Sequence, residues 1–120
     1  MFADPAVVTI NAVAKNLVRI NQDKYSSEYM LRSATEEFRL HIRNSSYVNK
    51  ARSVTIDRHN VELIHTVFPV APATKSTVRK TYTVIENEQG DTLVDPRNLA
   101  LGLFAFLTSA KIDQLINFES

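Results

Sequence analysis

An α+β chain is expected from this sequence, with a meander of antiparallel strands first and the helices gathered at the C-terminal end. Three observations lead there. Between residues 7 and 87 the apolar side chains recur mostly at every second position, the period of a strand. At Asp95 the period becomes helical. Pro5, Pro69, Pro72 and Gly90 fall between the alternating runs and not inside them.

Residues 7–11 and 17–21 read as two short strands joined across residues 12–16, a spacing that suits a hairpin. Pro5 lies just ahead of the first, where its missing N–H costs no ladder bond. Residues 22–27 are polar and turn-forming, and residues 27–32 make a further strand in which Tyr29 and Leu31 alternate with Glu28 and Met30. The most informative stretch runs from Glu36 to Ser46. Successive strand side chains point to opposite faces, so Phe38, Leu40 and Ile42 fall on one side and Arg39, His41, Arg43 and Ser45 on the other. One side needs a core. The other sets cations at every second position, which suits either a phosphate-binding surface or an ordinary solvated face.

A polar loop is expected over residues 44–52, followed by a β-branched run over residues 53–68. Within that run the apolar positions change phase, from Val54 and Ile56 to Val61 and Leu63, which predicts a bulge within residues 57–60. Residues 68–77 carry Pro69 and Pro72 and should form an exposed loop. Residues 78–87 make the last strand, with Arg79, Thr81 and Thr83 on one side and Tyr82 and Val84 on the other; residues 88–91 then turn on Gly90. Asp95 suits an N-cap and Pro96 the first position of a helix reaching about Thr108. Ser109 can cap a second helix, with Ile112, Leu115, Ile116 and Phe118 on its apolar side.

The length of 120 residues suits one domain, 1–120, made of a hairpin (1–22), a sheet (27–87) and a helix pair (95–119). Hydrophobic residues make up 44% and charged residues 22%, values from which a folded globular chain is expected. The net charge is only +1, so attraction to nucleic acid must come from where the cations sit and not from their surplus. With no cysteine, disulfides, thiolate metal sites and cysteine nucleophiles are excluded together. His41, His59 and His65 lack the spacing of a ligand cluster, and with only Gly90 and Gly102 there is no phosphate-cradling loop. No metal, no cofactor and no catalysis are expected. The first residues show no leader, and the apolar run from Leu99 to Leu107 is far shorter than the roughly 20 residues of a membrane span, so a soluble chain without a membrane partner is expected.

Leu99, Leu101, Leu103, Phe104, Phe106 and Leu107 project around nearly the whole first helix. A helix apolar on every side must be covered on every side, and one small sheet covers only one. A second copy of the chain is the expected cover, most simply in a symmetric dimer. Helices gathered above one sheet face would leave the other face, with Arg39, His41, Arg43 and Ser45, free for RNA.

The ordered segments RINQDKYSSEYML (from Arg19), EFRLHIRNS (from Glu37), RHNVELIHTVF (from Arg58) and VRKTYTVIENEQGD (from Val78) resemble the coat proteins of the single-stranded RNA bacteriophages, the levivirus group, in a divergent branch. The resemblance implies two helices that clasp a partner subunit, a dimer with one continuous sheet, and an icosahedral virion assembled in the bacterial host's cytoplasm. It also implies genomic RNA on the inner sheet, including a hairpin whose binding represses replicase translation. On this resemblance the RNA-facing positions are Arg39, His41, Arg43 and Ser45, then Asn60 and Glu62, then Arg79, Thr81 and Thr83, with Lys80 replacing Arg79 if the last strand is offset by one residue. Pro69, Pro72 and Lys75 would belong to the assembly loop, and Leu99, Leu103, Phe104, Phe106 and Leu107 to the dimer helix. A cellular dimeric sheet module that binds RNA or protein and builds no shell is the other reading.

Overall fold

The computed structural model describes residues 1–120. Six strands, β1 (Ala6–Ile10), β2 (Val13–Gln22), β3 (Ser26–Arg32), β4 (Glu36–Asn49), β5 (Val54–Val67) and β6 (Thr77–Glu88), precede two helices, α1 (Val94–Phe106) and α2 (Ser109–Ile116). The strands form one antiparallel sheet in chain order, the α+β arrangement expected from the sequence.

β1 and β2 are joined by Asn11 and Ala12 alone, both with positive φ (50° and 62°). Two such residues make the tight turn whose twist matches a hairpin. The expected connection over residues 12–16 is therefore corrected: residues 13–16 already pair with β1. A register shift between Arg19 and Asn21 bends β2. Beyond that bend the hairpin folds over the sheet, packing Ala6, Val8 and Ile10 against Leu17, Tyr29, Phe38, Leu40 and Ile42. Phe38, Leu40 and Ile42 thus face a core, but the N-terminal hairpin covers them, not the helices.

β4 and β5 pair without interruption from Glu36 opposite Val67 to Asn49 opposite Val54. Residues 44–49 are therefore strand and not the expected loop, and no bulge interrupts residues 57–60. The apolar residues change faces while the chain keeps its register: Ile56 is buried beside its cross-strand partner Tyr47, whereas Leu63, on the other face, packs on the main core. The Pro69 and Pro72 loop is exposed, and Gly90 turns the chain after β6 at a φ of +91°.

Helix α1 starts one residue before Asp95, which is not its cap. Leu93 holds the N-cap position without a side-chain bond, and the hydroxyl of Thr92 just before it accepts the Asp95 backbone N–H at 3.2 Å and donates to the Asp95 carboxylate at 2.8 Å. Pro96 sits within the first turn, where no N–H is needed. α1 ends at Phe106, short of the expected Thr108, and α2 follows at a bend of 73° with Thr108, not Ser109, at its N-cap.

Neither helix buries a single residue, and α1 meets the sheet mainly along β6. The chain exposes 9173 Å², against about 6,600 Å² for a compact monomer of its mass. Its radius of gyration is 17.3 Å where about 13.6 Å is usual for the length. The helices contribute to this excess, with Leu99 79% and Phe106 57% exposed.

Candidate nucleic-acid interface

Cross-strand register decides which side chains share a face. Arg39 pairs with Ile64 and Ile64 with Lys80; His41 with Glu62 and Glu62 with Tyr82; Arg43 with Asn60 and Asn60 with Val84. Directly opposed residues point the same way. Arg39, His41, Arg43, Ser45, Asn60 and Glu62 are thus brought together on the face away from the hairpin, hereafter the open face.

Arg79, Thr81 and Thr83 are not among them. They oppose His65, Leu63 and Val61, which share the hairpin's face with Phe38, Leu40 and Ile42. Arg79 there donates to His65 Nδ1 at 3.3 Å, while the His65 ring stacks on Phe38 at 4.3 Å and Nε2 lies 2.8 Å from Glu36. Lys80, Tyr82 and Val84 occupy the open face instead. The alternation within this strand was legible in the sequence; which side it turns to the sheet was not, because that depends on pairing with β5.

On the open face Arg32, Arg39, Arg43, Arg58 and Lys80 stand among Glu28, Glu37, Glu62, Glu86 and Glu88, five charges of each sign, so the free cations decide any pull on an anion. Arg39 is not free. Its guanidinium donates to Glu28 at 2.6 Å and to Glu37 at 3.3 Å, and Glu37 also accepts from Arg32 at 2.9 Å. Arg32 first and Arg39 second hold the Glu37 carboxyl below the usual range, while Glu37 and then Glu28 push the Arg39 guanidinium above its already high value. His41 lies 3.8 Å from Glu28.

Arg58 sits 3.5 Å from Glu86, whose other oxygen accepts the Tyr47 hydroxyl at 3.0 Å and raises that phenol above its usual value. Arg43 is held more loosely. It donates to Asn60 at 3.2 Å, stands 3.8 Å from Glu62, and its side chain is about half exposed (49%). Lys80 is exposed and forms no ion pair, and Tyr82 is 63% exposed beside it on the edge strand. Together these three offer two cations for phosphates and a ring for a base to stack on.

Elsewhere, Pro69, Pro72 and Lys75 are solvent-exposed, as are Leu99, Leu103, Phe104 and Phe106, while Leu107 is half-buried. No three histidine or carboxylate side chains converge in a way that could hold a metal ion. No single helix is long and apolar enough to cross a membrane. Residues 3–88, the whole sheet, match a family model described as "Phage phiCb5, coat protein". None of the curated proteins matches the chain.

Proposed function

From a chain that belongs to the phage phiCb5 coat protein family, and so is a structural component of a phage shell, we propose a coat protein of the levivirus, single-stranded RNA type that dimerises and lines the shell's interior with its open face. The bare helices and the free β6 edge support pairing with a second copy. Joining two such edges would bring Lys80 and Tyr82 of both copies to the middle of one wide sheet.

The observation that carries the RNA reading is that Arg43, Lys80 and Tyr82 stand on a face that neither the hairpin nor the helices cover, while Arg39 is locked between two carboxylates. Arg39 then orients its neighbours, and Arg43 and Lys80 meet phosphate. Replacing both Arg43 and Lys80 by alanine should leave dimers intact, reduce the RNA in purified particles, and lower the slope of log affinity against log salt by about 1.4 to 1.8 per subunit. An unaltered slope and RNA content overturn the assignment. Arg39→Ala, by contrast, should act mainly on stability, at a cost of about 1–2 kcal/mol, because Glu28 loses its guanidinium partner and Glu37 is left with Arg32 alone.

A further inference from the structure

We propose that β1 of one copy adds as a strand to a bare stretch of β4 in the next copy, a head-to-tail contact that joins dimers into closed rings. The inference rests on the proposed dimer only in that β6 is occupied there. A head-to-tail contact whose rotation closes makes a ring, and rings of three or more copies linked through the two-fold at β6 make a closed shell.

β4 outruns its neighbour. β3 begins at Ser26, opposite Arg43, so from residue 45 to residue 49 β4 is paired with β5 alone. The Asn44 N–H still donates to the Tyr25 carbonyl at 2.9 Å or less, on the β3 side, while the carbonyl of Thr55, which opposes Val48, accepts from Gln89 on the β6 side. Backbone groups alternate sides along a strand, so those of Ser46 and Val48 point away from β5 and meet no strand.

The outer edge of β1 is bare in the same way. The two-residue turn at Asn11 and Ala12 makes Ile10 and Val13 a hydrogen-bonded pair, and such pairs recur at Val8 with Lys15 and at Ala6 with Leu17. The groups of Val7 and Thr9 consequently point away from β2. Natural edges are usually blunted by a charge, a proline or a bulge, and neither Ala6-Val7-Val8-Thr9-Ile10 nor Ser45-Ser46-Tyr47-Val48-Asn49 carries one.

The two stretches are of equal length and match in one register. Set antiparallel with Val8 opposite Tyr47, Val7 exchanges both hydrogen bonds with Val48 and Thr9 does so with Ser46, whereas a slip of two residues either way keeps only one such pair. The side chains agree. Val7 and Val48, 60% and 63% exposed, form a β-branched pair, and the Thr9 hydroxyl can donate to that of Ser46, whose own proton goes to Asp57 at 2.8 Å. The faces agree as well: opposed residues point the same way, so the core side of β1, with Val8, continues into the open face of the next copy, with Tyr47. Because the hairpin folds over its own sheet, the core side of β1 already points in the direction of its own open face. Both copies thus turn their open faces to one side, as the wall of a shell requires.

The test uses the full chain assembled into particles. Thr9→Pro and Val48→Pro each remove one outward donor without touching a bond to β2 or β5, and each should leave the dimer in sedimentation while cutting particle yield by about tenfold or more. Independently, because the chain has no cysteine, Val7→Cys with Val48→Cys should cross-link assembled copies under mild oxidation. Opposed residues in such a pair have Cα atoms about 5.5 Å apart, within disulfide reach. Neither single variant should cross-link by itself, particles assembled from a mixture of the two should give covalent pairs, and the double variant should give a ladder on non-reducing gels that reaches three copies or more. Normal particles from either proline variant, or double-cysteine particles without the cross-link, overturn the proposal. So do covalent products that stop at two copies, which mean a reciprocal two-fold contact and no ring. A chain that is monomeric when its particles are dissociated counts against the β6 dimer instead, and the cysteine pair still decides the β1 contact.

Discussion

Among single residues, Arg39 and Arg43 occupy equivalent places in an alternating strand, and nothing in the sequence separates them. The structure does, through carboxylates that come from β3 and from β4 itself. Glu37, with a side chain only 12% exposed, is the most consequential of these. Its folded carboxyl is held below the ordinary 4.5, so below that pH the unfolded chain takes up a proton that the folded chain still refuses. The stability it contributes is complete above the ordinary value and drains away as pH falls through the lowered one. Urea midpoints measured from pH 6 down to pH 3, at one protein concentration, should therefore fall less steeply for Glu37→Gln than for the unaltered chain. Asp23, lowered by hydrogen bonds from Ser26 and Tyr25, adds to the same slope and survives that substitution. Equal slopes in both proteins would show that the Arg32–Glu37–Arg39 cluster contributes nothing to acid sensitivity.

At the level of elements, alternation made nearly every strand legible, because the strands lean on a core from one side. Boundaries were less so. The β1–β2 turn was expected to take the five residues 12–16, yet the chain turns on Asn11 and Ala12, which both adopt positive φ without being glycine. For Ala12 that conformation is strained by its Cβ, by about 1 kcal/mol. Ala12→Gly relieves the strain and should raise the unfolding free energy by up to about 0.5 kcal/mol after the entropy of the more flexible unfolded chain is deducted. A lower denaturation midpoint would contradict this. The loop expected over residues 44–52 failed for a different reason: polar residues such as Asn44, Ser45 and Ser46 continue a strand when a long partner, here β5, supplies the ladder.

For the whole molecule the decisive quantity is uncovered apolar surface. Leu99, Leu103, Phe104 and Phe106 remain 79%, 55%, 43% and 57% exposed within the chain, and a second copy is the proposed cover. The melting temperature should then rise by a few degrees for each tenfold increase in protein concentration, and Leu103→Asp should abolish that dependence. A concentration-independent melt of the unaltered chain would refute the dimer. The sequence by itself determined the α+β class, the order of strands before helices, the apolar row of Phe38, Leu40 and Ile42, and a first helix too apolar to stand alone. All of these follow from local periodicity, which pairing elsewhere does not alter. Only the tertiary structure decided that the hairpin and not the helices covers that row, that Lys80 and Tyr82 share the face of Arg43 while Arg79 does not, and that Arg39 is already neutralised. Each of those depends on the register between strands, and a shift of one residue there turns every side chain of a strand to the other face.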